Sequence, residues 1–387
     1  MIKKFKNIKI SGMSMVLPPK EICIYDELQY YGNSEKKAER ARRMAGFYKR
    51  RIADPDVTSA DLGYAAANNL LNSMAIDRSE VEAMIFVVQQ PDYNGPCTSY
   101  SMHQRLGLSK DCYVTDIVQG CVGWCFGLMS ACQMIASGAY KSVLLVNGDT
   151  PTKGLRQDDR VNAPLFGDAG VATYIEAAEG ASEIAFNLES FSEGFEAIVS
   201  LCVGSIGGRL NFDVRKPEDV AEMTSLFDTQ NGRHACLADD YMDGPAVFEF
   251  TTQKAPANLK ALMAEQGTAI DDYKFLALHQ ANKQIVQTVG GNVGFPLEKV
   301  PYDGFENFGN NTMCSIPATI LYSQCDTIKG DGARYLCSGF GNGLVVCSVD
   351  LTLAGLKCAE INTYESAPDH KTASECRQYW RNKFINT

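Results

Sequence analysis

Three pairs of stretches in this chain recur at one separation. The all-apolar run at 85–88 has a counterpart at 275–278, and the run at 143–146 has one at 333–336. Between them, Asn310 to Thr312 stands ahead of a helical pattern at 317–325, much as Gly120 stands ahead of the apolar segment that follows Cys121. All three separations are roughly 190 residues, the mark of an internal duplication. Short runs without polar alternation are strands buried on both faces. Each copy should therefore build a sheet covered by helices, and the two copies should pack as layers. A chain of 387 residues is long enough for two such units.

The first copy centres on Tyr113–Val114–Thr115–Asp116–Ile117–Val118–Gln119–Gly120–Cys121–Val122–Gly123–Trp124. A β-prone run stops at a small residue, Cys121 follows, and an apolar segment from Trp124 to Ile135 begins. This predicts strand, sharp turn and buried helix, with Cys121 at or beside the helix N-terminus. The dipole at such a terminus favours an anion, so a thiol placed there is expected to lose its proton more readily. Taken alone, the stretch reads equally as one more buried structural cysteine among the chain's 14.

Composition narrows the class. Apolar content of 45 % and charged content of 21 % are those of a globular protein, and a net charge of −10 argues against general nucleic-acid binding. No apolar run reaches the roughly 18 residues of a membrane span, and Lys3, Lys4 and Lys6 lead into no apolar signal segment. The cysteines show no C-x-x-C pair and no zinc-like Cys/His spacing, so reduced thiols in a cytoplasmic protein are expected, with no metal.

In chain order, a first strand is expected over 8–16 and a charged helix over 34–44. The basic cluster Lys49, Arg50, Arg51 reads either as a solvated face or as a dock for a phosphate-bearing substrate. Thr58 or Ser59 should cap a helix running to about Met74, and a further helix should end near Gly107. Strands are expected at 84–88, 142–146 and 171–175. Residues 205–245 look polar and irregular, an insertion or cap. The tail after 353 is polar, with a weak helical stretch at 373–384. The expected division is thus 1–180, 181–353 and a C-terminal extension, 354–387.

Of four histidines, only His279 stands at the C-terminal end of a buried strand, where α/β folds place their chemistry; a satisfied core histidine is the plainer alternative. The stretch from Asn307 to Pro317 reads as a loop and N-cap, or as a place where Asn310 offers an amide donor to developing negative charge. The glycine-rich turn after Ser338 bares backbone N–H groups, as an oxyanion hole needs.

Together these pieces form a pattern. Cys121 in Asp-x4-Cys-x-Gly, His279 in His-Gln-Ala-Asn, Asn310 in Gly-Asn-x4-Ser-Ile-Pro and the closing Gly-Phe-Gly-x-Gly-Leu resemble the β-ketoacyl-acyl-carrier-protein synthase III family of the thiolase superfamily. The resemblance runs from about Ile8 to Leu353 and takes in Arg50–Arg51–Ile52 and Phe166–Gly167–Asp168. It implies an α/β thiolase fold, a duplicated five-layer α-β-α-β-α architecture, and a homodimer. It further implies that Cys121 carries an acyl group as a thioester, that His279 and Asn310 hold a malonyl thioester carbonyl, and that the backbone N–H groups of Cys121 and Asn342 form the oxyanion hole. Phe340, Asn282, Arg43 and Gly95 are the implied substrate contacts. The substrates would be acyl-CoA and malonyl-acyl carrier protein or malonyl-CoA, with no cofactor beyond these CoA or phosphopantetheine thioesters.

Several positions depart from the family pattern. Met44 stands where housekeeping members carry an Arg against CoA, with Arg43 beside it. Gln284 replaces a carrier-docking Arg, with Lys283 adjacent. Gly95 replaces a bulky residue that lines the partner subunit's acyl pocket, which implies room for a longer or wider acyl group. The loop Gln89–Gln90–Pro91 has no glutamate, unlike relatives that move a proton there, so decarboxylative condensation is the expected chemistry. The alternatives are an acyltransferase of the same fold acting on an amine or hydroxyl, a papain-like cysteine hydrolase and a silent partner subunit. The hydrolase would need a Cys-Gly-Ser-Cys-Trp context that is absent, and silent subunits lose the cysteine that is kept here.

Overall fold

Two sheets carry the duplication. The first orders its strands Cys358–Thr363, Ile8–Leu17, Ala169–Ala177, Ser142–Asp149, Ala83–Val88, Tyr113–Val118. The second orders them Ile2–Phe5, Ile184–Ser190, Val345–Leu353, Ala333–Gly341, Leu276–Leu278. The structure is a computed structural model that describes residues 2–156, 158–159, 161–201, 210, 212–229, 234–367 and 369–386. In both sheets a parallel pair is followed by two antiparallel ones: Ala83–Val88 with Ser142–Asp149, then Ala169–Ala177, then Ile8–Leu17; and Leu276–Leu278 with Ala333–Gly341, then Val345–Leu353, then Ile184–Ser190. The same pairing pattern in both halves is the repeat read from the sequence, now in three dimensions.

Helices complete the five layers. Gly123–Ala136 and Ser315–Lys329 lie between the sheets, in one core with Val87, Leu145, Cys337 and Val349. Gly123–Ala136 is apolar along most of its length, and Ser315–Lys329 is buried from Ser315 to Leu321 before its C-terminal half turns polar. Ser59–Ser73 and Thr98–Leu106 cover the outer face of the first sheet. Gly244–Gln266 and Lys283–Val293 cover the outer face of the second. The apolar area removed from water in this central layer, at about 25 cal/mol per Å2, is the main favourable term fixing the sheets' separation.

Two sequence boundaries need correction. Strand Ile2–Phe5 precedes the expected first strand and pairs with Ile184–Ser190, so residues of the 1–180 unit belong to the second sheet. Conversely, Cys358–Thr363 pairs in parallel with Gly12–Leu17, so the 354–387 segment is not a mere extension but supplies an edge strand to the first sheet. Edge strands need only one buried face, and the polar composition of 358–363 hid this one. The helix Ala373–Ile385, capped by Thr372, follows it. Of the expected irregular insertion, 205–209, 211 and 230–233 lie outside the described residues. The remainder is more regular than expected, with helix Pro217–Thr224 and the short pairs Phe227–Asp228 with His234–Ala235 and Ile198–Val199 with Tyr241–Met242.

Local chemistry explains the ends that matter. Asp116, first residue of the Asp-x4-Cys motif, turns its carboxylate to the N–H groups of Thr98 and Ser99 at 2.6 and 2.9 Å and so caps the neighbouring helix. Thr58, not Ser59, caps the helix Ser59–Ser73, in a reciprocal capping box with Asp61. The basic cluster is structural: Arg50 is buried, paired with Glu27 and bonded to the Phe166 carbonyl, while Lys49 and Arg51 pair with Glu21. The reading as a phosphate dock is set aside, because each cation already has its carboxylate.

Candidate active site

The four sequence motifs converge on one cavity of about 280 Å3, which Cys121, His279, Asn310, Asn282, Phe340 and Asn342 all line. Cys121 lies in the tight turn between strand Tyr113–Val118 and helix Gly123–Ala136, closed by Gly123 N–H donating to Gly120 C=O at 2.7 Å. The strand end at Gly341 abuts this turn. A Cβ on Gly341 would come 2.8 Å from Cys121 Cβ and 3.1 Å from its Sγ, so only glycine lets this strand end pass so close to the sulfur.

His279 continues strand Leu276–Leu278, with its N–H on Ser338 C=O at 2.9 Å and its ring edge-on to Phe340. Its Nδ1 lies 2.8 Å from Ser315 Oγ, and that hydroxyl also donates to Thr312 C=O at 2.8 Å. A hydroxyl has one proton, and a carbonyl can only accept. The network therefore assigns the imidazole proton to Nδ1 and leaves the Nε2 lone pair as the free end of the ring. Burial pushes the His279 pKa down to about 4, with the Thr312 carbonyl opposing, so the ring is neutral at working pH.

Asn310 is held from three directions. Its N–H donates to Leu165 C=O at 2.8 Å, its C=O accepts from Gly167 N–H at 3.2 Å, and its Oδ1 accepts from Thr312 N–H at 3.0 Å. With the amide oxygen committed, Nδ2 is the end left to donate to a ligand. Here the Phe166–Gly167–Asp168 motif finds its purpose. Gly167 permits the clasp, since a Cβ there would sit 2.1 Å from Phe308 C=O, and the Asp168 carboxylate ties down Ala53 and Thr152.

The expectation of a readily ionised Cys121 is corrected. Enclosure raises the thiol's pKa to about 12; its own backbone N–H opposes the rise and the Asp149 carboxyl adds to it. The helix dipole contributes at most about 2 kcal/mol even in a partly buried geometry, less than the rise that enclosure imposes. Alkylation of Cys121 by iodoacetamide, followed on its own peptide, should therefore climb about tenfold per pH unit from pH 6 to 9. A plateau below pH 8 would show a preformed thiolate instead.

Two of the expected substrate contacts do not join this cavity. Arg43 is exposed and pairs with Glu39 at 2.8 Å. Gly95 lies on an exposed loop where an added Cβ would meet nothing of the same chain within 4 Å. Met44 is likewise exposed, and Lys283 lies over the Tyr302 ring. The other three histidines serve locally: His103 on Ser109 C=O, His234 beside Asp228, His370 beside Asp56. Tyr241 and Met242, within the segment expected as an insertion or cap, line the cavity, as do Asp149, Ile198, Val247 and Phe248, to which sequence reading gave no role. Asp149 did carry a signal, as a lone carboxylate at the C-terminal end of a buried strand. Among the described residues, no group of three His, Cys, Asp or Glu could hold a metal, and no helix is long and apolar enough to cross a membrane.

A duplicated five-layer fold with a cysteine, a histidine and an asparagine around one cavity defines a thiolase-fold protein of the condensing type. Residues 115–194 match the 3-oxoacyl-[acyl-carrier-protein] synthase III family, and residues 263–353 match its C-terminal family. A putative 3-oxoacyl-[acyl-carrier-protein] synthase 3 of Campylobacter jejuni is 32% identical over 93% of this chain and 98% of its own. A β-ketoacyl-[acyl-carrier-protein] synthase III of Streptococcus suis is 30% identical over 87% of this chain and 96% of its own. The crystal structure of a 3-oxoacyl-(acyl-carrier protein) synthase from Burkholderia xenovorans superposes with a TM-score of 0.84 at 26% identity, covering 94% of this chain and 99% of that one. The chain belongs to the β-ketoacyl-acyl-carrier-protein synthase III family and is a condensing enzyme of that type.

Proposed function

We propose that this enzyme is an acyltransferase that loads an acyl group from acyl-CoA onto Cys121 and condenses it with a malonyl thioester. The observation that carries the reading is the single cavity holding the Cys121 thiol, the bare Nε2 of a neutral His279 and the Nδ2 of Asn310. In the first half-reaction His279 Nε2 takes the thiol proton as the sulfur attacks the acyl thioester and keeps it, while the departing CoA thiolate is protonated from solvent. The backbone N–H groups of Cys121 and Asn342 hold the oxyanion. In the second, the malonyl thioester carbonyl accepts from Asn310 Nδ2 and from the proton His279 Nε2 now carries, and CO2 leaves. The resulting carbanion attacks the acyl carbonyl, giving a β-ketoacyl thioester and a Cys121 thiolate that takes its proton back from His279. CO2 loss generates the nucleophile, so no carboxylate base is needed on the Gln89–Gln90 loop that lines the cavity.

The apolar cap over the cavity suits an acyl chain, and the CoA or phosphopantetheine arm belongs to the substrates, with no separate cofactor. Malonyl-acyl carrier protein and malonyl-CoA are both candidate extenders. The edge strand Tyr113–Val118, with Val118 exposed, suits pairing with a second copy in a homodimer. The free cysteines suit a reducing cytoplasm. Intact mass after incubation with a panel of acyl-CoAs tests the reading. An acyl adduct that a malonyl thioester discharges with CO2 release supports it. An adduct that ignores malonyl donors but passes to an amine or alcohol overturns it.

A further inference from the structure

Asp149 ends strand Ser142–Asp149 in the first half of the molecule, is 2 % exposed and lines the cavity. Its Oδ2 accepts a hydrogen bond from Thr312 Oγ1 at 2.7 Å. Thr312 belongs to the other half and has φ +48°, a left-handed conformation that a β-branched residue adopts only when its surroundings impose it. Its three polar groups point three ways. The N–H donates to Asn310 Oδ1, the carbonyl accepts from Ser315 Oγ, which in turn holds His279 Nδ1, and the hydroxyl goes to Asp149. Rotating this one residue would release the Asn310 amide and the His279 tautomer together.

We propose that Asp149 is a positioning residue for the condensation half-reaction: by anchoring the Thr312 hydroxyl it fixes, through one strained residue, the orientation of both Asn310 and His279. The tie also joins the half that carries Cys121 to the half that carries the two donors, so it sets their mutual register. Neither Asp149 nor Thr312 is required to touch substrate. Burial raises the Asp149 pKa to about 7, with the Thr312 hydroxyl opposing. Its partner is thus a hydroxyl, which can bond either protonation state, and not a cation.

The inference rests on the proposed condensation, and its test separates the two. Asp149→Ala and Thr312→Val remove the tie, whereas Asp149→Asn keeps an amide oxygen for the hydroxyl and Thr312→Ser keeps the hydroxyl. Acyl loading from acyl-CoA and malonyl-CoA-driven discharge are timed separately by intact mass, with melting temperature as a check on folding. Each tie-breaking variant should lower kcat for discharge about tenfold or more and slow loading by a smaller factor, because discharge needs both Asn310 and His279 in place whereas loading needs only the His279 ring. The double variant should be no slower than either single one, because both remove the same interaction. Asp149→Asn and Thr312→Ser should recover most of the rate. Asp149→Asn as slow as Asp149→Ala would make the carboxyl itself an acid or base and overturn the proposal, as would additive singles or equal losses in loading and discharge. A readout independent of turnover completes the test. In 15N-histidine-labelled protein, assigned with His279→Gln, the His279 ring should show the Nδ1–H tautomer and lose that preference in Asp149→Ala and Thr312→Val. An unchanged tautomer would overturn the tie even in a preparation that failed to condense, whereas that failure alone would count against the condensation.

Discussion

Cys121→Ala should carry no acyl adduct and form β-ketoacyl thioester at least about 10^4-fold more slowly, yet still decarboxylate malonyl-CoA. The first loss follows because, among the described residues, Cys121 is the cysteine that lines the cavity. Cys125 and Cys314, the nearest in sequence to the two cavity loops, are fully buried, and Cys314 Sγ already contacts Ala169 C=O. The surviving activity follows from the division of labour between halves. Asn310 Nδ2 and the His279 ring are positioned by Thr312, Ser315, Leu165 and Gly167, none of which contacts Cys121 through a hydrogen bond described above. Intact mass and CO2 release measured on one preparation check both parts. An adduct persisting in Cys121→Ala would move the nucleophile elsewhere. Loss of CO2 release in parallel with condensation would show that the two donors do not act independently of the thiol.

The sequence made the nucleophile turn, the His279 strand end and the Asn310 loop legible because each sits where an apolar run stops. Such junctions are visible without tertiary information, and the repeat of two of them at one offset gave the layered fold as well. What stayed hidden depends on partners distant in sequence. The ionisation of Cys121 was misjudged because helix position is local, while the enclosure that outweighs it comes from Gly341, Asp149 and the cap. Arg50 looked like a phosphate site because Glu27, which neutralises it, lies 23 residues away. The strand at 358–363 escaped notice because its pairing partner is at Gly12–Leu17, at the other end of the chain. Thr312 lay inside a recognised motif, but its role comes from a left-handed backbone that no residue pattern announces in a threonine.

The converse experiment places the donors. Asn310→Ala should still acquire the acyl group within a few-fold of the unaltered enzyme, but discharge it about 10^2–10^3-fold more slowly, the cost of losing one donor to a developing oxyanion in a buried site. His279→Ala should behave differently, because the ring has two tasks: its Nε2 accepts the Cys121 proton during loading and, now as N–H, donates to the enolate oxygen during condensation. Both steps should therefore fall, loading by about 10^2-fold or more for want of a base beside a thiol that burial keeps protonated. The two variants together form a discriminating pair. If His279→Ala loads as fast as Asn310→Ala, the thiol reaches its ionised form without the imidazole, and the substrate, by displacing water or bringing charge into the cavity, must lower its pKa. If Asn310→Ala fails to load, its Nδ2 serves the first oxyanion as well as the enolate, and the assignment of separate donor sets to the two half-reactions fails. The contrast between the two loading rates is thus the measurement that assigns the proton taken from Cys121.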